Sequence, residues 1–108
     1  MTDDPKAVQL FQEVLEKTQS DKIRWEPTAK EDRFVAAFGG KFSLVIENDE
    51  GRVALELHDQ KGRRMIRVDR ESDRWVDENL DRLYELARRR ALNADAAVDS
   101  ALESLRSL

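Results

Sequence analysis

Apolar and polar positions repeat along this chain with two different periods, and the changes of period divide it into helices and strands. Asp4 followed by Pro5 reads as an N-cap and a first helical position, since proline lacks only an amide that would go unpaired there. Ala7, Val8, Phe11, Val14, Leu15 and Thr18 then share one stripe at helical spacing, opposite Lys6, Gln9, Gln12, Glu13 and Glu16. From Lys22 the period falls to two: Ile23 and Trp25 alternate with Arg24 and Glu26 until Pro27 ends the run, which predicts a short edge strand. Four more strands are expected at residues 33–38, 41–47, 52–59 and 63–69, separated by Gly39-Gly40 and by turns over 48–51 and 59–62.

Facing residues of an antiparallel pair lie on one side of the sheet, so turn lengths assign faces. Four-residue turns place Leu44 opposite Leu55, and Leu55 opposite Ile66. One face then gathers Phe42, Leu44, Ile46, Val53, Leu55, Leu57, Ile66 and Val68 and is the expected core. The other carries Ser43, Val45, Glu47, Arg52, Ala54, Glu56, His58, Arg63, Met65 and Arg67. At Gly39-Gly40 a two-residue loop turns Phe34 and Phe38 outward and a three-residue loop turns them inward. The inward choice is preferred, because a buried aromatic side chain contributes roughly 1.5 to 3 kcal/mol. Arg64 falls opposite Leu57 in this register, a charge on the core side near the rim.

After Ser72 or Asp73, either a suitable cap, Val76, Leu80, Leu83, Tyr84, Ala87 and Ala91 form a second helical stripe. Asn93 interrupts it, and Asn93 or Asp95 caps a last helix in which Val98, Ala101, Leu102, Leu105 and Leu108 share a face. The expected fold is α+β over residues 1–108: an N-terminal helix, a five-stranded antiparallel meander, and two C-terminal helices packed on one sheet face.

Composition changes this picture in a few places. The 108 residues suit a single domain, and 40% hydrophobic against 39% charged residues describes a folded core under a densely charged surface rather than a disordered chain. No apolar run approaches the roughly 20 residues of a membrane helix, and the start at Asp3, Asp4 and Pro5 does not resemble a targeting leader. With no cysteine, disulfides, thiolate metal sites and cysteine nucleophiles are excluded, and a cytoplasmic location is expected.

Candidate chemistry is sparse. His58 is the only histidine; with Glu56 it supplies two groups, short of a zinc site. Asp49, Glu56 and His58 imitate the order of a metal-dependent nuclease hairpin, but Asp49 sits in a turn several strand residues away from Glu56. The serines have no nearby histidine to activate them, and Gly39-Gly40 does not open a helix as a phosphate loop does. No catalytic, cofactor or metal residues are assigned, and a non-enzymatic protein is expected.

Two surfaces remain as binding candidates. Arg88, Arg89 and Arg90 splay around the second helix at about 100° per residue, so they read as a helix end complementing its dipole, with Glu85–Arg89 and Glu78–Arg82 as expected pairs. The alternative of a nucleic-acid contact is carried better by Lys41, Arg52, Arg63 and Arg67 on the outer sheet face. Against it, that face has no aromatic platform and has its own acids, with Glu47 opposite Arg52, Arg52 opposite Asp69, and Glu56 beside Arg63 and Arg67. On the second helix, Trp75 and Leu86 flank the main stripe with Asn79 and Arg90 nearby, a composition typical of interface hot spots. The competing reading is that Trp75 and Leu86 widen a core face sandwiched between sheet and last helix. The outer band of Val35, Ala37, Val45, Ala54 and Met65 is a second protein-facing candidate, for a homodimer or another chain.

The succession "KIRWEPT", "FGGKFSL", "LELHDQKGR" and "LYELARRRAL", from Lys22 to Ala91, resembles the layout of small uncharacterised bacterial α+β proteins. That resemblance implies a bacterial source and a similar fold, and assigns no catalytic residue. The function expected from the sequence is a protein–protein interaction module, such as an accessory subunit, an immunity protein or a defence-system component, with a nucleic-acid-binding regulator as the alternative.

Overall fold

In the computed structural model, which describes residues 4–108, the Asp4 carboxylate accepts the Lys6 and Ala7 amides and starts helix α1, Pro5–Gln19. Asp3 of the acidic start lies outside the described residues. Strands β1 (Glu26–Pro27), β2 (Arg33–Phe38), β3 (Phe42–Asp49), β4 (Arg52–Asp59) and β5 (Arg64–Val68) pair antiparallel in sequence order as one five-stranded meander. Helices α2 (Arg74–Ala91) and α3 (Ala94–Arg106) follow. The expected α+β layout is therefore the observed one, and no described helix is long and apolar enough to cross a membrane.

The facing pairs differ from expectation while the core-side apolar residues keep their face. Leu44 faces Leu57 rather than Leu55 because the β3–β4 turn has two residues in place of four, and Leu55 faces Val68 rather than Ile66 because five residues separate the paired His58 and Arg64 and β5 carries one extra residue beyond them. Asp49 pairs directly with Arg52, which leaves Glu50 and Gly51 as the turn, both at positive φ, the backbone that a two-residue hairpin requires. A shift of two residues keeps every side chain on its side of the sheet. The three-residue loop at Gly39-Gly40 is the observed one: Phe38 faces Phe42 and Phe34 faces Ile46, on the core side.

A bulge between Leu57 and His58 corrects β5. Ile66 faces Leu57 but Arg64 faces His58, so Met65 is the extra residue and Arg64 lies on the outer face, not on the core side. There its guanidinium reaches Glu56 at 3.4 Å. Arg63 precedes the strand and turns back onto Asp59 at 2.8 Å.

One face of the sheet is closed by two helices. Helix α2 packs across β1 to β4, and α1 packs beside α2 and against β5. Phe11, Val76 and Leu83 meet Phe34, Leu44, Ile46, Leu55 and Val68 with almost no solvent access, at roughly 1.5 to 3 kcal/mol for each large apolar side chain. Phe38 and Phe42, at the far end of the same face, stack on each other at 5.7 Å and stay well exposed. Helix α3 makes its contacts with α2 and buries none of its residues, which leaves the molecule elongated at 56 × 30 × 26 Å.

The first strand is shorter than its alternating pattern predicts. Only Glu26 and Pro27 pair with β2, and Trp25 is buried by a different route: its indole N–H donates to the Thr18 hydroxyl of α1 at 3.0 Å. Thr18, on the apolar stripe of α1, is the one buried polar residue among the described residues.

Candidate functional site

Two helix ends meet on the β1 side, and the way each chain segment leaves its helix creates a groove. At the end of α1, Asp21 adopts the left-handed conformation at φ 58°. Its amide donates to the Thr18 carbonyl at 3.1 Å and the Lys22 amide donates to the Lys17 carbonyl at 2.8 Å. This pair of bonds is the wrapped helix terminus usually built on glycine, and it swings residues 22–25 back along the helix. At the end of α2, Asn93 takes the same left-handed backbone at φ 52°, and the chain turns into α3. Asn93 does interrupt the helix, but its side chain makes no capping bond, so the N-cap role expected of it is not filled by a side chain.

Between these two turns lies an open groove of about 570 Å³. Ile23, Trp25 and Leu86 supply its apolar lining, and Lys22, Arg24, Arg89 and Arg90 surround them; Asp21, Asn93 and Asp95 complete the wall. Arg90 ties the helix ends together, donating to the Gln19 carbonyl at 3.4 Å with Asp21 at 3.7 Å. Arg89 holds the first turn of α3 through Asp95 at 3.0 Å. Arg88 pairs with Glu85 at 3.6 Å, so the three consecutive arginines go to three different partners. The expected Glu85–Arg89 and Glu78–Arg82 pairs are replaced by Glu85–Arg88 and by Arg74–Glu78 at 3.4 Å.

Beyond the groove, α3 presents its apolar stripe to solvent. Val98, Leu102 and Leu105 are 52%, 41% and 62% exposed, and Leu108 is fully exposed. The acids Asp95, Asp99 and Glu103 flank that stripe at four-residue intervals.

The four hot-spot candidates of α2 do not form one patch. Leu86 and Arg90 line the groove, whereas Trp75 and Asn79 sit near the other end of the helix. Eleven residues at about 1.5 Å each separate Trp75 from Leu86 by roughly 16 Å. Trp75 stands edge-on to Phe11 at 5.6 Å and is 40% exposed, and Asn79 donates to its backbone carbonyl at 2.8 Å. Leu86 is half-buried against the core.

The outer sheet face is a network of paired charges. Glu56 receives His58 at 2.9 Å, Arg67 at 3.0 Å and Arg64 at 3.4 Å, while Arg67 also reaches Asp69 at 3.4 Å. Burial opposes ionisation of Glu56, but hydrogen bonds from His58, Arg67 and Arg64 outweigh it and hold the carboxyl below its ordinary range. Glu47 binds Lys30 and lies 4.0 Å from Arg33, and Lys30 is thereby held protonated above its usual range. The expected oppositions of Glu47 with Arg52 and of Arg52 with Asp69 are absent, since Glu47 faces Ala54 and Arg52 faces Asp49. Arg63 pairs with Asp59 instead of Glu56; the backbone amide and side chain of Arg63 and the Lys61 amide keep the Asp59 carboxyl low.

The four nucleic-acid candidates are scattered over this face. Lys41 and Arg63 lie in turns at one end of the sheet, Arg52 opens β4 at the opposite end, and Arg67 stands between, already paired. An eight-residue strand spans roughly 25 Å at about 3.3 Å per residue. Phe34, Phe38 and Phe42 all lie on the other face. Of the outer apolar band, Val45 and Ala54 are only 6% and 5% exposed beneath the charged side chains and Val35 is half-buried, while Ala37 and Met65 stay exposed.

Asp49 is held at its hairpin, apart from the Glu56–His58 pair, and among the described residues no three metal-binding side chains converge. Sequence reasoning missed Lys22 and Arg24 as site residues, having read them as strand; Asp21 in a position that favours glycine gave no signal of the turn. No protein-family model, curated protein or solved structure matches the chain.

Proposed function

We propose that this chain is a non-enzymatic protein-binding module that acts through α3 and the groove at its base. The carrying observation is the apolar stripe of α3: Val98, Leu102 and Leu105 stay exposed, and no described residue buries them. A 13-residue helix is near the limit of independent stability in water, so a stripe of this kind is normally stabilised by packing. Leu86 and Ile23 extend the apolar surface into the groove, and Arg90 with its neighbours frames it with positive charge. Large apolar side chains ringed by arginine are the composition of an interface centre.

The scatter of the outer-face cations, two of which (Arg63 and Arg67) already pair with acids, and the net charge of -4 weigh against phosphate binding as the principal role. The test is isolation of a tagged chain from its native cells in the presence of nuclease, alongside a V98E/L105E variant and with an untagged copy also expressed. A protein, whether another chain or the untagged copy, is expected to accompany the parent in stoichiometric amount and to be lost from the variant. Equal recovery from both, or only nuclease-sensitive material, refutes the reading.

A further inference from the structure

We infer that the occupant of the α3 face is a second copy of this chain, bound through a reciprocal, antiparallel exchange of the two α3 helices. The inference rests on the protein-binding reading above and names its partner. Ala94, Val98, Ala101, Leu105 and Leu108 follow one another at alternating spacings of four and three residues, the a/d repeat by which one helix packs into the holes of another. Ala94 is half-buried beside α2, whereas Val98, Ala101, Leu105 and Leu108 stay exposed.

The second observation is charge. The groove at the base of α3 is rimmed by Lys22, Arg24, Arg89 and Arg90, and α3 itself carries Asp95, Asp99 and Glu103 beside its apolar stripe. The chain thus possesses both an apolar groove with a basic rim and an apolar helix with an acidic flank. Within one copy Arg89 pairs with Asp95, Arg90 with Asp21 and Arg24 with Glu26, while Lys22, Asp99 and Glu103 make no ion pair among the described residues, so one copy satisfies the rim and the flank only in part. A two-fold axis satisfies both at once, because in such an interface each surface meets its complement on the other copy.

An antiparallel alignment that sets Ala94 against the partner copy's Leu105, and Val98 against the partner copy's Ala101, keeps the a/d layers in register. It carries the partner copy's Leu108 past Ala94 toward Leu86 and Ile23, and its Glu103 toward the basic rim. Two heptads alone make a weak coiled coil, and the groove supplies the additional apolar contact. A parallel alignment places α3 against α3 and leaves both grooves empty.

The experiment measures particle mass by sedimentation across the micromolar range for the purified chain and for V98E/L105E, both at positions exposed enough that far-ultraviolet dichroism should be unchanged. The parent is expected at twice the 12.5 kDa chain mass, and the variant at the single mass. Orientation is read from the single variants A94C and L105C of this cysteine-free chain, oxidised separately and mixed. In the antiparallel alignment Ala94 faces the partner copy's Leu105, so the mixture is expected to give a covalent A94C–L105C dimer and neither variant alone to do so. A parent that stays at the single mass overturns self-association; if V98E/L105E still loses a different co-isolating protein, the protein-binding reading survives alone. A dimer indifferent to V98E/L105E removes α3 from the interface, and a dimer that crosslinks A94C to A94C or L105C to L105C, or gives no mixed crosslink, overturns the antiparallel exchange.

Discussion

Replacing Thr18 with valine removes one oxygen from the core and should loosen the wall of the groove. Thr18 and Trp25 are both almost fully buried, and the indole N–H has the Thr18 hydroxyl as its hydrogen-bond acceptor at 3.0 Å. Valine nearly matches threonine in shape, so the main loss is the acceptor, and an indole N–H left buried and unpaired costs about 1 to 3 kcal/mol. At roughly 4 °C per kcal/mol for a domain of this size, T18V should melt about 4 to 12 °C lower. The converse change, W25F, removes the donor and leaves a hydroxyl that can turn to the Val14 carbonyl one turn back in α1, so its cost comes from lost ring packing rather than an orphaned polar group. The two changes act on one bond, and T18V/W25F should therefore be less destabilised than the sum of the single variants by about 1 kcal/mol or more. Urea unfolding of the four proteins, followed by tryptophan emission and by far-ultraviolet dichroism, completes the cycle. A T18V protein within about 0.5 kcal/mol of the parent, or strict additivity, refutes the claim that this bond anchors Trp25.

Three further outcomes follow from the same geometry. Glu56 has a folded pKa below its unfolded value near 4.3, so its contribution is present above that pH and lost as pH falls through the folded value; E56Q should unfold more easily at pH 7 by about 1 kcal/mol after allowance for solvent screening, with the gap closing below about pH 4, and a gap that ignores pH counts against the network. Tyr84 is the only tyrosine, and burial together with its 3.1 Å hydrogen bond to Asp32 pushes its hydroxyl up to about 12; that contribution to stability is complete below the unfolded value near 10 and disappears as pH rises toward 12, so an ultraviolet titration of the folded protein with a step near pH 10 contradicts it. Asn93 holds a left-handed backbone that costs most residues about 1 to 2 kcal/mol, so N93A should lose about 1 kcal/mol in denaturant midpoint measurements while N93G loses little, and equal effects dismiss backbone strain as the cause.

What was legible in the sequence is what depends on side-chain period. The stripe of α1, the faces of β2 to β4 and the stripe of α2 each place several apolar residues at fixed spacing, so an error of two residues in register left Leu44, Leu55 and Val68 on the correct side. Thr18 was on the α1 stripe from the start, and its polar role became visible only when Trp25 was seen to leave the strand pattern. The bulge at Met65 was illegible because no glycine or proline marks it, and it reversed the side on which Arg64 lies. The groove was missed for a related reason: Asp21 and Asn93 adopt a backbone that glycine usually signals, and the tertiary bonds of Arg90 and Arg89 help hold the turns they make. Asparagine after the end of an apolar stripe does carry a weak signal of this kind.

The placement of charge connects the fold to the function proposed. With 23 acidic and 19 basic residues, a chain of 108 must separate like charges or pair unlike ones. The outer sheet face takes the second course, drawing Arg64, Arg67 and His58 onto Glu56 and leaving Val45 and Ala54 sealed beneath. The β1 end takes the first course: cations collect around Ile23, Trp25 and Leu86, and acids collect along α3, with Arg89–Asp95 as their direct link. Separation of this kind is unfavourable for an isolated chain with exposed leucines on the same surface, and favourable where a second molecule brings the opposite arrangement to each half. The physical reason to expect binding at α3 is therefore the coincidence of unburied apolar area with charge only partly paired within the chain, and neither feature alone distinguishes this end of the molecule from an ordinary solvated surface.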